Sequence, residues 1–201
     1  QIEPIRAAIN IIDNQQIDNL KNYLNWIAIR SAANYLSDDF VNAHFEFYGK
    51  TMSGSKEIRP RWKRTIDAVN GALGEAVGQL YVEKYFPAEA KERMLDLVSN
   101  LQISLGERIS KLEWMSEETK KKAHEKLNTF IVKIGYPDKW KDYSSLEIKD
   151  DSYFENMVRA SEFEYNEMIA ELGKPVDKTK WHMSPQTVNA YYSPSTNEIC
   201  F

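Results

Sequence analysis

The chain has 201 residues, and with 42% hydrophobic and 12% aromatic residues it can bury a hydrophobic core. Lys and Arg total 26 against 30 for Asp and Glu, and the net charge of -4 argues against nucleic acid or an acidic membrane surface as a partner. No apolar stretch approaches the roughly 20 residues of a membrane span, and the N-terminal residues lack the basic region and apolar run of a signal peptide.

Helical periodicity dominates residues 16–192, so the sequence predicts a mainly α fold. The first amphipathic helix is predicted over residues 17–35. A second helix begins after Ser37, whose hydroxyl can cap it, has two acidic residues in its first turn and ends near Gly49.

A long apolar stripe predicts a single helix from Pro60 to Phe86. Gly71, Gly74 and Gly78 lie along this run at three- and four-residue steps. Each glycine weakens helix propensity by up to about 1 kcal/mol relative to alanine. We therefore expect another helix to cross closely over these glycines.

Three more helices are predicted toward the C-terminus, over residues 87–112, 116–134 and 152–172. Ser116 is the expected N-cap of the second of these, followed by two glutamates that suit a helix N-terminus. Residues 135–138 break that helix, and an irregular connector precedes the last one.

Only the last 15 residues have clear strand character. Residues 187–192 and 197–201 are predicted as two strands, joined by a turn at residues 193–196. The predicted fold class is therefore mainly α, a multi-helix domain with a short C-terminal β-hairpin.

The three histidines do not predict a metal site. The run from His124 to Asn128 differs by one residue from the H-E-x-x-H helix, in which two histidines one turn apart bind zinc, but asparagine is a poor zinc ligand. We interpret His124 as a solvated residue of a Lys-rich helix, His44 as a core or boundary residue and His182 as part of a strand edge.

Other groups of charged residues also have a structural interpretation. Asp38-Asp39 and Asp150-Asp151 resemble catalytic carboxylate pairs, but both lie where helices are predicted to begin and suit helix capping. The sequence has no glycine-rich phosphate loop and no G-x-S-x-G motif, and its single cysteine, Cys200, excludes an internal disulfide and a cysteine-based zinc site. We therefore find no complete active site in these 201 residues.

The first strand of the hairpin suits an extended peptide as its ligand. Backbone groups of an edge strand can pair with a peptide chain, and the Asn189 amide can donate and accept hydrogen bonds at once. Ala190 leaves room for close approach. From spacing alone, an ordinary hairpin in which Tyr191 and Tyr192 are packing residues stays open as the alternative.

Three long segments resemble one family of enzymes. They are MSPQTVNAYYSPSTNEICF (183–201), NGALGEAVGQLYVEKYFP (70–87) and LEWMSEETKKKAHEKLNTFIVKIGYPDKW (112–140). All three, in this order along the chain, are similar to segments of the neprilysin and endothelin-converting-enzyme family of zinc metallopeptidases.

The resemblance implies a division of the chain into two parts. Residues 1–182 correspond to the helical domain that caps the substrate chamber, and residues 183–201 to the start of the catalytic domain, with its substrate-binding strand and hairpin. In the family, an H-E-x-x-H helix, a glutamate zinc ligand and a catalytic histidine follow later in the sequence. The resemblance therefore implies no catalytic residue and no metal ligand in this chain.

The resemblance also implies roles for residues of the hairpin. Asn189 and Ala190 match the N-A-[FY]-Y element that holds the substrate backbone, Asn189 through its side-chain amide and Ala190 through its main chain. Tyr191 matches the aromatic position near the pocket for the residue preceding the scissile bond, whereas Tyr192 is expected to pack. Cys200 stands where valine is more usual, and we infer no chemistry from it.

The function implied is that of a fragment of a zinc-dependent endopeptidase for oligopeptides, inactive alone, with zinc bound only by the parent protein. Its partners would be the oligopeptide substrate and the remainder of the same polypeptide. Because the first residue is Gln, we expect the chain to begin inside a longer protein, and many relatives suggest an extracytoplasmic location. The alternative is a non-enzymatic α-helical protein-interaction module, which leaves the apolar end of the hairpin unexplained.

Overall fold

The computed structural model describes residues 2–201. Its α-helices are α1 (Ile2–Asp13), α2 (Ile17–Ala32), α3 (Asp38–His44), α4 (Arg61–Ala72), α5 (Gly74–Tyr85), α6 (Ala88–Ser110), α7 (Glu117–Asn128) and α8 (Tyr153–Ile169). A 3₁₀ turn (Ala33–Tyr35) follows α2, and a π-helix (Phe45–Met52) follows α3. The strands are β1 (Ile131–Lys133), β2 (Tyr191–Ser193) and β3 (Glu198–Cys200). The predicted fold class, mainly α with a short C-terminal hairpin, is confirmed.

The run predicted as one helix from Pro60 to Phe86 is two helices, α4 and α5. Leu73 lies between them with φ -129° and ψ 35°, which are not helical dihedral angles. Gly71 and Gly74 flank this residue and have low helix propensity, so little intrinsic preference holds the helix together there.

Helix α7 begins as predicted but ends six residues before the predicted end near Ile134. The Ser116 hydroxyl accepts a hydrogen bond from the Thr119 N–H at 3.2 Å, which confirms it as the N-cap. After Asn128 the chain turns extended and forms β1, a strand that was not predicted. Two β-branched residues, Ile131 and Val132, favour this conformation, and β3 supplies a partner strand.

The chain forms two compact units. The first comprises residues up to Arg64 together with Glu147–Glu162. Its buried apolar residues are Ala33, Val41 and Ala160, and Tyr35 and Tyr153 pack edge to face with their ring centroids 5.6 Å apart. Helix α1, which was not predicted, exposes all five of its isoleucines to solvent: Ile2, Ile5, Ile9, Ile11 and Ile12.

The second unit comprises Thr65–Leu146 and Phe163–Phe201 and contains the sheet. Its buried apolar residues are Val98, Ile109, Ile134, Phe163 and Cys200. All residues predicted to contact substrate lie in this unit. Across both units, none of the helices formed by residues 2–201 is both long enough and apolar enough to cross a membrane.

Candidate functional site

The candidate site is one edge of the three-stranded sheet. The strand order is β1-β3-β2, with β3 in the centre, parallel to β1 and antiparallel to β2. Cys200 of β3 is opposite both Lys133 of β1 and Tyr191 of β2, so these three side chains lie on the same face of the sheet. Within residues 2–201, no further strand pairs with the outer edge of β2, so its backbone groups there are open to a ligand.

The segment that leads into this edge is not part of the ladder. We predicted a strand over residues 187–192, but pairing begins only at Tyr191. Upstream, backbone hydrogen bonds are local: the Thr187 N–H donates to the Ser184 carbonyl, and the Asn189 N–H donates to the Thr187 carbonyl, each at 3.0 Å. Because these groups are used within the segment, residues 187–190 turn toward the strand instead of extending it.

Asn189 and Ala190 are both exposed immediately before β2. The Ala190 N–H donates to the Asn189 side-chain oxygen Oδ1 at 2.8 Å. An incoming peptide carbonyl that accepts from this N–H would replace that bond and free Oδ1 to accept a hydrogen bond from the peptide. The two adjacent residues can therefore exchange one local hydrogen bond for two bonds to an extended chain.

Tyr191 is held by a buried polar network with one member on each strand. Its hydroxyl donates to Glu198 Oε1 at 3.0 Å, and the Lys133 ammonium donates to Glu198 Oε2 at 2.9 Å. Lys133 also donates to the Lys180 carbonyl at 2.5 Å. Lys133 and Glu198 are only 5% and 1% exposed, so their opposite charges compensate each other away from water.

The network shifts the pKa values of its members. Burial alone would raise the pKa of Glu198, but the hydrogen bonds from Lys133 and Tyr191 outweigh burial and lower this pKa below its usual 4.5. Burial raises the pKa of Tyr191 well above its usual 10.0, and the nearby Cys200 and Glu198 add to this effect. Burial also raises the pKa of the Cys200 thiol. At neutral pH, the Tyr191 hydroxyl is thus a neutral donor to a carboxylate.

Tyr192 points to the other face of the sheet and packs there, as expected. Its ring stacks on Phe130 with the centroids 5.7 Å apart and an interplanar angle of 8°. Its hydroxyl donates to the side chain of Asn197, which has φ 54° in the hairpin turn. The Asn197 amide donates to the Lys126 carbonyl at 2.8 Å, so the turn is tied to the end of α7. Asparagine suits both tasks, because it tolerates the left-handed conformation and has donor and acceptor atoms.

The prediction that a helix crosses over Gly71, Gly74 and Gly78 is wrong. The segment against α5 is the irregular turn at residues 184–186, upstream of Asn189. A Cβ atom at Gly78 would lie 2.6 Å from the Pro185 Cδ atom, whereas one at Gly71 would meet no atom within 4 Å. Close approach is therefore confirmed at Gly78, but the partner is a loop.

The three histidines lie far apart in the sequence. In the part of the chain that the structure describes, no three or more His, Cys, Asp or Glu side chains are grouped closely enough to hold a metal ion. His124 is half-buried, and its Nε2 atom lies 3.0 Å from the Ser110 hydroxyl. It therefore packs against α6, whereas a fully solvated side chain was predicted. His44 is half-buried against Tyr48, which fits a boundary residue. His182 is exposed in a bend, so its prediction as a strand edge is wrong.

Both aspartate pairs lie where helices begin, as predicted. Asp38 and Asp39 form the first turn of α3. The Asp151 carboxylate accepts hydrogen bonds from both terminal guanidinium nitrogens of Arg159, and these bonds lower the pKa of Asp151 to about 2. The Ser152 hydroxyl accepts a hydrogen bond from the Glu155 N–H at 3.3 Å. Asp151 is thus engaged in an ion pair with Arg159, and it is Ser152 that accepts from an N–H group in the first turn of α8.

The second unit also contains a cleft of about 650 Å³, away from any residue that the sequence singled out except His182. Trp140 and Trp181 line it together with charged side chains. The Lys141 ammonium donates to Glu164 at 2.5 Å, and the Lys141 N–H donates to Glu75 at 2.7 Å. The charges that line this cleft are thus partly paired with one another.

Sequence reasoning missed Lys133 and Glu198, whose network holds Tyr191, and Gln186, whose amide donates to Asn70 and to the Gly74 carbonyl. Lys133 and Glu198 are 65 positions apart and bond only because β1 and β3 pair. The one local signal was Glu198 at the start of a strand that continues with the apolar run Ile199–Phe201, where a charged side chain requires a partner if it points inward.

Comparison with known proteins gives consistent matches over almost the whole chain. A family profile described as Peptidase family M13 matches residues 1–137. The endothelin-converting enzyme homolog of Locusta migratoria is 34% identical over 204 residues, which cover 98% of this chain and 28% of that protein. The neutral endopeptidase of Lactobacillus helveticus is 37% identical over 196 residues, which cover 96% of this chain and 30% of that protein.

A solved structure agrees with these relatives. The zinc metalloprotease ZMP1 of Mycobacterium tuberculosis, in complex with an inhibitor, matches with a TM-score of 0.85 and 44% identity. The match covers 92% of this chain and 28% of the ZMP1 chain. The chain therefore spans less than a third of the length of the proteins it resembles here.

Proposed function

This chain belongs to peptidase family M13, and from that premise we propose that it is the central part of a zinc-dependent endopeptidase that cleaves oligopeptides. Within the parent enzyme, residues 1–182 form a wall of the substrate chamber, and residues 183–201 begin the catalytic domain. The similarity to zinc metalloproteases along 92% of the chain supports this assignment.

The observation that carries the proposal is the open outer edge of β2, directly preceded by the exposed pair Asn189 and Ala190. A peptide laid along this edge pairs its main chain with protein backbone, so binding is independent of most of its side chains. That property suits an enzyme that accepts oligopeptides of varied sequence.

The three predicted contact residues have different tasks. Asn189 offers both an acceptor and a donor to the substrate main chain, and Ala190 offers its N–H once the local bond to Asn189 is exchanged. Tyr191 contributes its ring and backbone, because its hydroxyl is already bound to Glu198. The network behind Tyr191 thus orients the ring before substrate arrives, which lowers the entropy lost on binding.

Zinc in the parent protein would polarise the scissile carbonyl and activate water, with a glutamate as base. The residues described here do not fit that metal, since they form no group of three or more ligands. The proposal assigns the metal ligands and the glutamate to another part of the parent polypeptide, and predicts that this chain is inactive alone.

The remainder of the same polypeptide is the proposed macromolecular partner. Large apolar side chains are exposed on this chain, among them Trp114 at 77%, Leu80 at 69% and Val188, which is fully exposed. Exposed apolar surface of this extent favours burial against further protein. An extracytoplasmic location of the parent stays an expectation from the family.

The experiment that tests the proposal compares Asn189→Ala with Asn100→Ala in the full-length parent protein. Asn100 is exposed on α6 and is a matched control. We expect Asn189→Ala to lower kcat/KM for an oligopeptide by the equivalent of about 2 to 4 kcal/mol, because a substrate hydrogen bond is lost. The control should match the wild type. Unchanged kinetics in a folded Asn189→Ala protein would remove Asn189 from the site.

A further inference from the structure

The turn at residues 184–186 lies so close to helix α5 that the position it contacts, Gly78, has no room for a side chain. Gly78 is buried, and a Cβ atom there would lie 2.6 Å from Pro185 Cδ and 3.0 Å from Gln186 Oε1. One turn earlier, a Cβ atom at Gly74 would lie 3.3 Å from Ser184 Cβ. Real Cβ contacts essentially never fall below 3.0 Å, so the turn rests directly on the helix backbone at Gly78.

Gln186 fastens this turn to two helices at once. Its Nε2 group donates to Asn70 Oδ1 on α4 and to the Gly74 carbonyl on α5, each at 3.0 Å. Its Oε1 atom is buried near Gly78 and finds no donor among residues 2–201. A rotated amide would place Oε1 against two acceptors, so the two donated bonds determine the orientation of the side chain.

The position of Gln186 restricts the position of Asn189, because the segment that connects the two residues is short. Asn189 is three residues downstream, a distance that spans at most about 10 Å even when extended. The bond from the Asn189 N–H to the Thr187 carbonyl shortens it further, and the bond from the Thr187 N–H to the Ser184 carbonyl closes the turn itself. On the far side, the Tyr191 hydroxyl is bound to Glu198 at 3.0 Å. The exposed pair Asn189 and Ala190 thus lies between two residues that hydrogen bonds fix in place, Gln186 and Tyr191, both of them half-buried.

We propose that Gln186, seated on Gly78, is a positioning residue that sets where Asn189 and Ala190 meet the main chain of an extended peptide substrate. This inference rests on the proposed function, in which those two residues bind the substrate backbone. Gln186 and Gly78 do not touch substrate; they act through Thr187 and Val188, the two residues that separate Gln186 from Asn189.

The test is a series of alanine substitutions in the full-length, zinc-loaded parent protein. Gly71→Ala, Gly74→Ala and Gly78→Ala all raise helix propensity, but the added methyl group meets open space, a contact of 3.3 Å and a clash at 2.6 Å, respectively. We expect kcat/KM for a fluorogenic oligopeptide to be unchanged in Gly71→Ala, slightly lower in Gly74→Ala and about tenfold to a hundredfold lower in Gly78→Ala.

A double substitution separates positioning from general damage. If Gly78 acts through Asn189, then Gly78→Ala should cause little further loss of kcat/KM when Asn189→Ala is already present. The near-isosteric Gln186→Glu variant places a carboxylate against the acceptors of Asn70 and Gly74, and should show the same loss and the same non-additivity. If Gly78→Ala does not fold, Gln186→Glu and Gly74→Ala carry the test.

Two outcomes would overturn the inference. In the first, Asn189→Ala is impaired while Gly78→Ala and Gln186→Glu behave like Gly71→Ala, so the proposed function stands and positioning fails alone. In the second, the losses add fully in the double variants, which indicates damage unrelated to Asn189. A silent Asn189→Ala variant would instead reject the proposed function, and the inference with it.

Discussion

The Lys133 ammonium lies 2.9 Å from the Glu198 carboxylate, and this buried ion pair joins the two parallel strands of the sheet. The other oxygen of Glu198 accepts a hydrogen bond from the Tyr191 hydroxyl, so the ion pair is also bonded to the edge strand β2. A buried pair is costly to break, because the remaining charge keeps its desolvation cost and loses its partner.

Replacing Glu198 by glutamine should destabilise the sheet by about 3 to 5 kcal/mol, because Lys133 is left buried without an anion. Hydrogen–deuterium exchange of β1 and β3 amides in the full-length protein measures this locally. The control is Lys122→Ala, which breaks an exposed pair with Glu125 and should cost about 1 kcal/mol at most. Equal losses of local stability in the two variants would show that the buried pair contributes no more to the stability of the sheet than an exposed pair.

Acid should loosen the same strands. Because the pKa of Glu198 in the folded protein is below its usual 4.5, the carboxylate contributes stability that is present above that pH and is lost as the pH falls through the lowered pKa. Exchange of β1 and β3 amides should therefore rise below about pH 4.5, relative to elements such as α6. In Glu198→Gln this extra acid sensitivity should vanish; its persistence would assign the transition to another group.

Tyr191 should resist ionisation in alkali. Burial raises its pKa, so the neutral hydroxyl contributes stability that is complete below pH 10.0 and is lost as the pH rises through the raised pKa. In a titration followed by tyrosinate absorbance, Tyr191→Phe should remove amplitude from the part of the curve well above pH 10.0. Loss of amplitude at or below the usual pKa would contradict the buried hydrogen bond to Glu198.

The isolated chain should not hydrolyse peptides, even with added zinc. Residues 2–201 form no group of three or more metal-binding side chains, and metal-assisted hydrolysis requires a bound ion. A fluorogenic oligopeptide assay, with the full-length parent protein as positive control, measures this. Turnover by the isolated chain that a chelator abolishes would contradict the assignment of the metal site to the rest of the polypeptide.

Much of the fold could be predicted from the sequence, because helices depend on neighbours three and four residues away. The Ser116 cap, the acidic start of α3 and the apolar stripes of α2, α6 and α8 all follow from such local patterns. The hairpin at the C-terminus was predictable for the same reason, since its two strands and turn are adjacent in the chain. Family membership also came from the sequence, through three long segments in the right order.

The parts that hold the candidate site were decided by tertiary structure. The residues Ile131–Lys133 were predicted as the end of α7. The β-branched side chains of Ile131 and Val132 permit an extended backbone, but the pairing that makes these residues a strand comes from β3, more than 60 residues later. The glycines of α4 and α5 indicated close packing against another segment. Their spacing in the sequence does not show whether that segment is a helix or, as here, the turn at residues 184–186. The sequence by itself therefore determined the helices, the hairpin and the family, whereas the fold alone brought Lys133 to Glu198 and Gln186 to Gly74. Those contacts join residues too far apart in the chain for any local pattern to encode.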